Sequence, residues 1–136
     1  MRFMLIMNSP KDGYTQYMSW PRKILEANQA FMQQFTAKLK AAGELVGAEG
    51  LAAPNQARLV RAGKDGKPIT DGVFPESKEF LAGYWIVDVD SPERAFAIAA
   101  EASTAPGSPV RGPDGKMIEH LWIEVRQILS GHQDLG

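Results

Sequence analysis

Hydrophobic residues are spaced along this chain in a way that predicts two amphipathic helices and several short strands. Residues 2–7 are continuously apolar after Arg2, which is typical of a strand buried on both faces. From Pro21 onward, apolar residues recur at intervals of three and four, as on one face of a helix. They are Ile24, Leu25, Phe31, Met32, Phe35, Leu39 and Ala42. Gly43 follows at the position of a helix C-cap, so we predict that the helix ends there.

A strand hairpin is predicted in the middle of the chain. Residues 44–51 alternate weakly and contain two glycines, a pattern that indicates a bent or bulged strand. Residues 57–62 are predicted to be the partner strand of residues 44–51. A turn that contains Asp65 and Gly66 follows, since an Asp-Gly pair accepts positive φ, and residues 68–71 could return as a short edge strand.

A second helix and two longer strands are predicted in the last third. Residues 80–90 are rich in Tyr, Trp, Ile and Val and read as a central strand. Ser91, Pro92 and Glu93 provide an N-cap, a proline at the first helical position and an acidic first turn. The helix should end near Ser103. The last strand is predicted over residues 117–128, after a loop at 104–115 whose length suggests a function.

The predicted order is strand, helix, strand hairpin, strand, helix, strand. It favours an α+β fold with a ferredoxin-like βαββαβ core, in which two helices cover one face of an antiparallel sheet. The other sheet face also needs a cover. A second copy of the chain is the simplest one, so a sheet-to-sheet homodimer is expected.

Composition indicates one domain, predicted over residues 1–129 with a flexible tail at 130–136. Fifteen Lys and Arg balance sixteen Asp and Glu, and no basic surplus marks a nucleic-acid surface. The absence of cysteine excludes disulfides, thiolate nucleophiles and Cys-ligated metals. No signal peptide or membrane span is recognised, so a cytoplasmic location without membrane contact is expected.

Polar and aromatic residues are predicted to share the open face of the sheet. In the last strand, Ile118, His120, Trp122, Glu124, Arg126 and Ile128 alternate with a mainly aliphatic set that suits packing beneath the helices. In the strand at 80–90, Tyr84, Ile86 and Asp88 alternate with Trp85, Val87 and Val89. A mixed face of this kind suits either a ligand cleft or a dimer interface.

His120 is the candidate general base, because the unperturbed pKa of histidine lies near neutrality. Asp88 or Glu124 would orient its ring, and Arg126 would bind a charged substrate. The alternative is that His120 makes a hydrogen bond in a dimer interface. No metal site is predicted, since the two histidines lie far apart and lack ligand spacing. No cofactor is predicted either.

The segment at 71–79 alternates turn formers and charged groups around Phe74. Phe74 could close over a ligand that Asp71 or Glu76 orients, with Tyr84 and Trp122 as further binding residues. The structural alternative places Phe74 in the core and makes Asp71 part of a turn.

The stretch TDGVFPESKEFLAGYWIVDVDSPERAFAIA resembles the YCII-related superfamily, and in particular its DGPF subgroup, with Val73 in place of the motif proline. The upstream AAGELVGAEGL and the terminal IEVRQI also resemble that subgroup. The resemblance implies a ferredoxin-like fold that forms dimeric α/β barrels. It also implies small-molecule chemistry by a His-Asp pair, whose positions would fall near Met32 and Ala41, so that pair is missing here.

Three functions stay open. The chain could be a metal-independent enzyme that transforms a small anionic or aromatic molecule by acid/base chemistry. It could instead be a non-catalytic regulatory or accessory module with a protein partner, since the subgroup resemblance makes association with an extracytoplasmic-function sigma factor plausible. In the third case the polar face is only a dimer interface.

Overall fold

The computed structural model describes residues 1–10, 12–70, 79–112 and 114–130. The strands are β1 Arg2–Pro10, β2 Leu45–Gly50, β3 Val60–Ala62, β4 Pro68–Thr70, β5 Glu79–Asp88, β6 Val110–Arg111, β7 Met117–Ile118 and β8 Ile123–Gln127. The helices are α1 Gly13–Met18, α2 Arg22–Ala41 and α3 Pro92–Ala102, with a 3₁₀ turn at Pro54–Gln56.

Four strands form the main sheet, in the order β2-β5-β1-β8, and every neighbouring pair is antiparallel. With α2 and α3 as the two connecting helices, this order is that of the ferredoxin-like βαββαβ fold, so the predicted α+β class is confirmed. The bulge expected in the glycine-containing strand is present between Leu45 and Gly47. A second bulge interrupts β1 between Met7 and Asn8.

The core lies between the sheet and the two long helices. On the sheet side it contains Leu5 of β1 and Val87 of β5, which are fully buried. Leu39 of α2 and Ile98 of α3 close over them from the helix side. The predicted alternation holds in both β5 and β8. Trp85, Val87, Ile123 and Val125 face the core, whereas Tyr84, Ile86, Asp88, Glu124 and Arg126 do not belong to it.

The ends of both long helices follow the sequence signals. The Ser91 hydroxyl accepts a hydrogen bond from the Arg94 amide at 3.2 Å, and Pro92 opens α3. Gly43 follows α2 with φ of +71°. This left-handed conformation is unfavourable for a residue with a side chain, so glycine suits the position. The β3–β4 hairpin also forms, with Gly66 at φ of +80° in its turn.

Three features differ from the sequence-based expectations. The strand at 57–62 was expected to pair with residues 44–51, but β3 pairs with β4 in a separate sheet, and β2 pairs with β5. The predicted strand at 117–128 is split, because β7 pairs with β6 rather than with the main sheet, and β8 begins only at Ile123. The short helix α1, which precedes α2, was not predicted. Of the predicted C-terminal tail only Ser130 belongs to the described residues. No described helix is long and apolar enough to span a membrane.

Candidate ligand-binding cavity

The open sheet face holds four of the sequence-predicted site residues, but at separate places. Asp88 lies opposite Arg2 in β1, and its carboxylate contacts the N-terminal amine at 3.1 Å. Glu124 lies opposite Ile6, four residues further along β1, which corresponds to roughly 13 Å. Arg126 contacts Glu124, with 3.6 Å between Nε and the carboxylate. The two carboxylates therefore occupy different ends of this face.

His120 lies on the other side of the sheet. Its Nδ1 is 3.1 Å from the carbonyl oxygen of Ser103, just after α3. Because a carbonyl oxygen only accepts, Nδ1 carries the proton in this contact. His120 therefore does not share a face with Asp88 and Glu124. The strand is interrupted between β7 and β8, so the alternation of β8 does not extend back to His120. A catalytic role for His120 stays a prediction.

The remaining candidates divide into two groups. Tyr84 is half-buried on the open face, between Ile6 and Glu49 on the neighbouring strands. Trp122, just before β8, is 91% exposed. Asp71 and Phe74 lie outside the described residues. The described part of the chain contains no group of three His, Asp or Glu side chains that could hold a metal ion.

A cavity of about 620 Å³ opens on the helix-covered side of the sheet. No pattern in the sequence predicted this cavity. It lies beyond the core, between the strands and the α2 residues Asn28, Met32 and Thr36. α1, the loop after α3 and the chain that follows β2 form its remaining walls. The long loop that the sequence marked for its length contributes Ala105, Gly107 and Ser108.

Two facing glycines lower the floor of the cavity. Gly50 of β2 lies opposite Gly83 of β5, which in turn lies opposite Met7 of β1. A Cβ atom at Gly83 would approach the Glu49 carbonyl to 2.9 Å, so the neighbouring backbones require glycine there. A Cβ atom at Gly50 would meet nothing within 4 Å. The floor is therefore open above Gly50, whereas a Cβ atom at Gly83 would lie 3.7 Å from Cε of Met7.

α1 forms one wall and is tied to the β6–β7 hairpin. The Gln16 amide accepts from the Arg111 backbone N–H at 2.7 Å and donates to the Arg111 carbonyl at 3.3 Å. It also donates to Asp12 at 2.8 Å. This clamp holds Tyr14 and Tyr17 of α1 at the cavity.

Trp20 connects α1 to the loop after α3. Its ring lies 5.0 Å from that of Tyr17, and its far edge packs against Gly107, where a Cβ atom would come within 2.6 Å. Asn28 of α2 fixes the same loop by donating to the Pro106 carbonyl at 2.9 Å. The buried indole N–H of Trp20 has no hydrogen-bond partner among the described residues. A ligand acceptor that reached it would recover the bond.

Polar groups on the cavity walls are mostly neutral. Thr36, Ser108 and Tyr17 have hydroxyls that make no hydrogen bond to another described residue. Glu49 and Glu119 are the acidic wall residues, and both are exposed. The wall thus offers hydroxyl and aromatic groups around an apolar interior, an arrangement that suits a small organic molecule.

Comparison with known families agrees with this architecture. The model of the YCII-related domain matches residues 1–108. No curated protein matches the chain. The membership of the narrower DGPF subgroup, which the sequence suggested, is not tested by this match. Because the family model covers most of the sequence and the fold is that expected of it, the chain belongs to the YCII-related domain family.

Proposed function

We propose that this chain binds a small organic molecule in the cavity between α1, α2 and the glycine row of the sheet. The observation that carries the proposal is the cavity itself. Its volume of about 620 Å³ lies within the range of roughly 300–1,000 Å³ typical of small-molecule sites. Its walls combine apolar groups with a few neutral polar ones, as such sites usually do.

The shape of the floor supports binding rather than incomplete packing. Gly83 cannot become larger because the Glu49 backbone approaches it, and Gly50 adds no side chain opposite. The resemblance to the superfamily points to the same place, because Met32, near which the family histidine would fall, lies on the wall. Ala41, near the expected aspartate, is exposed at the end of α2.

Acid/base chemistry on the bound molecule would use groups other than the predicted trio. The described wall contains no imidazole, and Asp88 is engaged by the N-terminal amine. Proton transfer inside the cavity would therefore fall to a tyrosine hydroxyl or to a rim carboxylate such as Glu119. Ligand binding is the primary proposal, and turnover is its extension.

A leucine at position 50 tests the proposal, because its side chain would project into the cavity without meeting backbone. The wild-type chain is screened by thermal shift against neutral aromatics, acids and amines. Hits should be lost in Gly50→Leu. Gly47→Leu is the matched control, since Gly47 lies on the same strand opposite Ile86, on the other sheet face.

Three outcomes are separable by this screen. Hits that disappear in Gly50→Leu and persist in Gly47→Leu support the cavity. Hits that persist in both variants place the ligand elsewhere and refute the site. No hits with a folded wild-type chain favour the alternative of a regulatory or accessory module, for which the sigma-factor association would be the first partner to test.

A further inference from the structure

We propose that the cavity selects an uncharged aromatic molecule and rejects its carboxylate and ammonium analogues. This inference rests on the proposed function and adds the ligand class. The described wall residues support it, because they include aromatic rings, no basic side chain and two exposed glutamates.

The aromatic preference follows from the rings at the wall. Tyr17 and Trp20 form a tilted pair with 5.0 Å between ring centroids, and Trp85 lies in the next row of the floor. A Cβ atom at Gly50 would meet nothing within 4 Å, so this part of the floor is free of side chains and a flat ring can lie over it, next to Met7. Aromatic rings gain from offset and edge contacts with such neighbours beyond the area that they bury.

An anion would find no counter-charge in this cavity. Among the wall residues that the structure describes there is no Lys, Arg or His. A carboxylate that entered would lose its hydration without a compensating cation, and that loss is strongly unfavourable. The sequence had assigned charge recognition to Arg126, but Arg126 lies on the opposite face of the sheet.

Two arginines adjacent to the walls are already engaged by backbone carbonyls. Arg111, which follows the wall residue Val110, donates to the Gly115 carbonyl at 2.7 Å. Arg58, close in sequence to the wall residue Pro54, donates to the carbonyls of Asn55 and Ala57 at 3.1 and 2.8 Å. Neither arginine belongs to the wall.

A cation would be equally poorly matched inside the cavity. Glu49 pairs in register with Tyr84, so its side chain belongs to the open face of the sheet rather than to the face that forms the floor. Glu119 is exposed, which places its carboxylate in contact with water. The interior groups that remain are hydroxyls such as those of Thr36 and Ser108, which pair with a ligand hydroxyl or carbonyl.

Three probes with one skeleton test the inference: 2-naphthylmethanol, 2-naphthoate and 2-naphthylmethylammonium. Calorimetry at neutral pH should give the alcohol an affinity at least about tenfold higher than that of either ion, because only the ions are desolvated without a partner. Equal or tighter binding of either ion overturns the inference, while the proposed cavity stands if that binding is lost in Gly50→Leu. If none of the three probes binds, the inference that the ligand is aromatic is overturned.

A change of wall charge provides the complementary test. Met32→Lys replaces one unbranched side chain on the wall with another that carries an ammonium group. It should raise the affinity for 2-naphthoate at least about tenfold and weaken that for the alcohol. Met32→Gln is the control for polarity without charge and should not favour the carboxylate. An unchanged affinity for 2-naphthoate in a folded Met32→Lys variant overturns the inference.

Discussion

Arg94 donates two hydrogen bonds to the carboxylate of Glu44, one from Nε at 2.8 Å and one from Nη2 at 2.7 Å. Arg94 lies in the first turn of α3, and Glu44 directly precedes β2, an outer strand of the main sheet. The Glu44 side chain is only 17% exposed, so the pair is partly shielded from water. This bidentate pair fixes the start of α3 against the edge of the sheet.

We expect Glu44→Gln to lower the free energy of unfolding by about 1 kcal/mol, near the upper end of values for partly exposed pairs. Chemical denaturation measures the change. The exposed pair of Arg22 and Glu26, four residues apart on α2, is the control. Glu26→Gln should cost no more than about 0.5 kcal/mol. Equal costs for the two variants would contradict a special role for the Glu44 pair.

The same pair should make stability depend on pH in acid. Hydrogen bonds from Arg94 lower the pKa of Glu44 below its ordinary value of 4.5. The folded chain therefore holds this proton less tightly than the unfolded chain. The stabilisation is complete above the unfolded pKa and is lost as pH falls through the folded pKa. The difference in stability between the wild type and Glu44→Gln should shrink as pH falls below 4.5 and vanish below the folded pKa, and a difference that does not change with pH would contradict this linkage.

The Gln16 clamp makes α1 depend on the β6–β7 hairpin. α1 has six residues, too few for a stable isolated helix, so its position rests on contacts such as those with Arg111. Gln16→Ala should cost about 1 kcal/mol. It should also speed hydrogen exchange of the α1 amides and weaken ligand binding at the cavity. Gln29→Ala is the control, because Gln29 is an exposed residue of α2 whose side chain makes no hydrogen bond to another described residue. Unchanged exchange in Gln16→Ala would contradict the clamp.

Local signals along the chain predicted the parts of the fold that depend on neighbouring residues. The Ser91 cap, the Gly43 end of α2 and the alternation in β5 all act within a few residues, and all appear in the structure. β7 is separate from β8 because β7 pairs with β6, whereas β8 pairs with β1. That choice is made between distant segments, so alternation read across residues 117–128 placed His120 on the wrong face.

The cavity was equally hidden from local patterns. Gly50 and Gly83 are 33 residues apart in the sequence and become opposite only through the pairing of β2 with β5. In the sequence, Gly50 suggested only a bend or a bulge, and Gly83 was not singled out. α1 is too short to show a hydrophobic period, and its stabilising contacts come from Arg111. A candidate site formed by such long-range juxtapositions can be recognised only once the register is known.

The sheet-to-sheet homodimer stays a prediction, and the open face of the sheet is the surface expected to form it. The open face presents Met4, Ile6, Tyr84 and Ile86, all half-buried. Charged residues of both signs flank this apolar strip, with Asp88 near Arg2 at one end and Glu124 near Arg126 at the other. Such a face can pair with itself about a two-fold axis, because each acidic group can meet a basic group of the second copy.

We propose that Ile86→Lys prevents this pairing. Each symmetric interface would contain two buried lysines, so the dissociation constant should rise at least about 100-fold. Light scattering after gel filtration measures the mass of both forms. Val60→Lys is the matched control, since Val60 lies in the β3–β4 hairpin and is 60% exposed. A wild-type mass of one chain would refute the dimer. If the dimer persists in Ile86→Lys and is lost in Val60→Lys, the interface lies at the β3–β4 hairpin and not at the sheet.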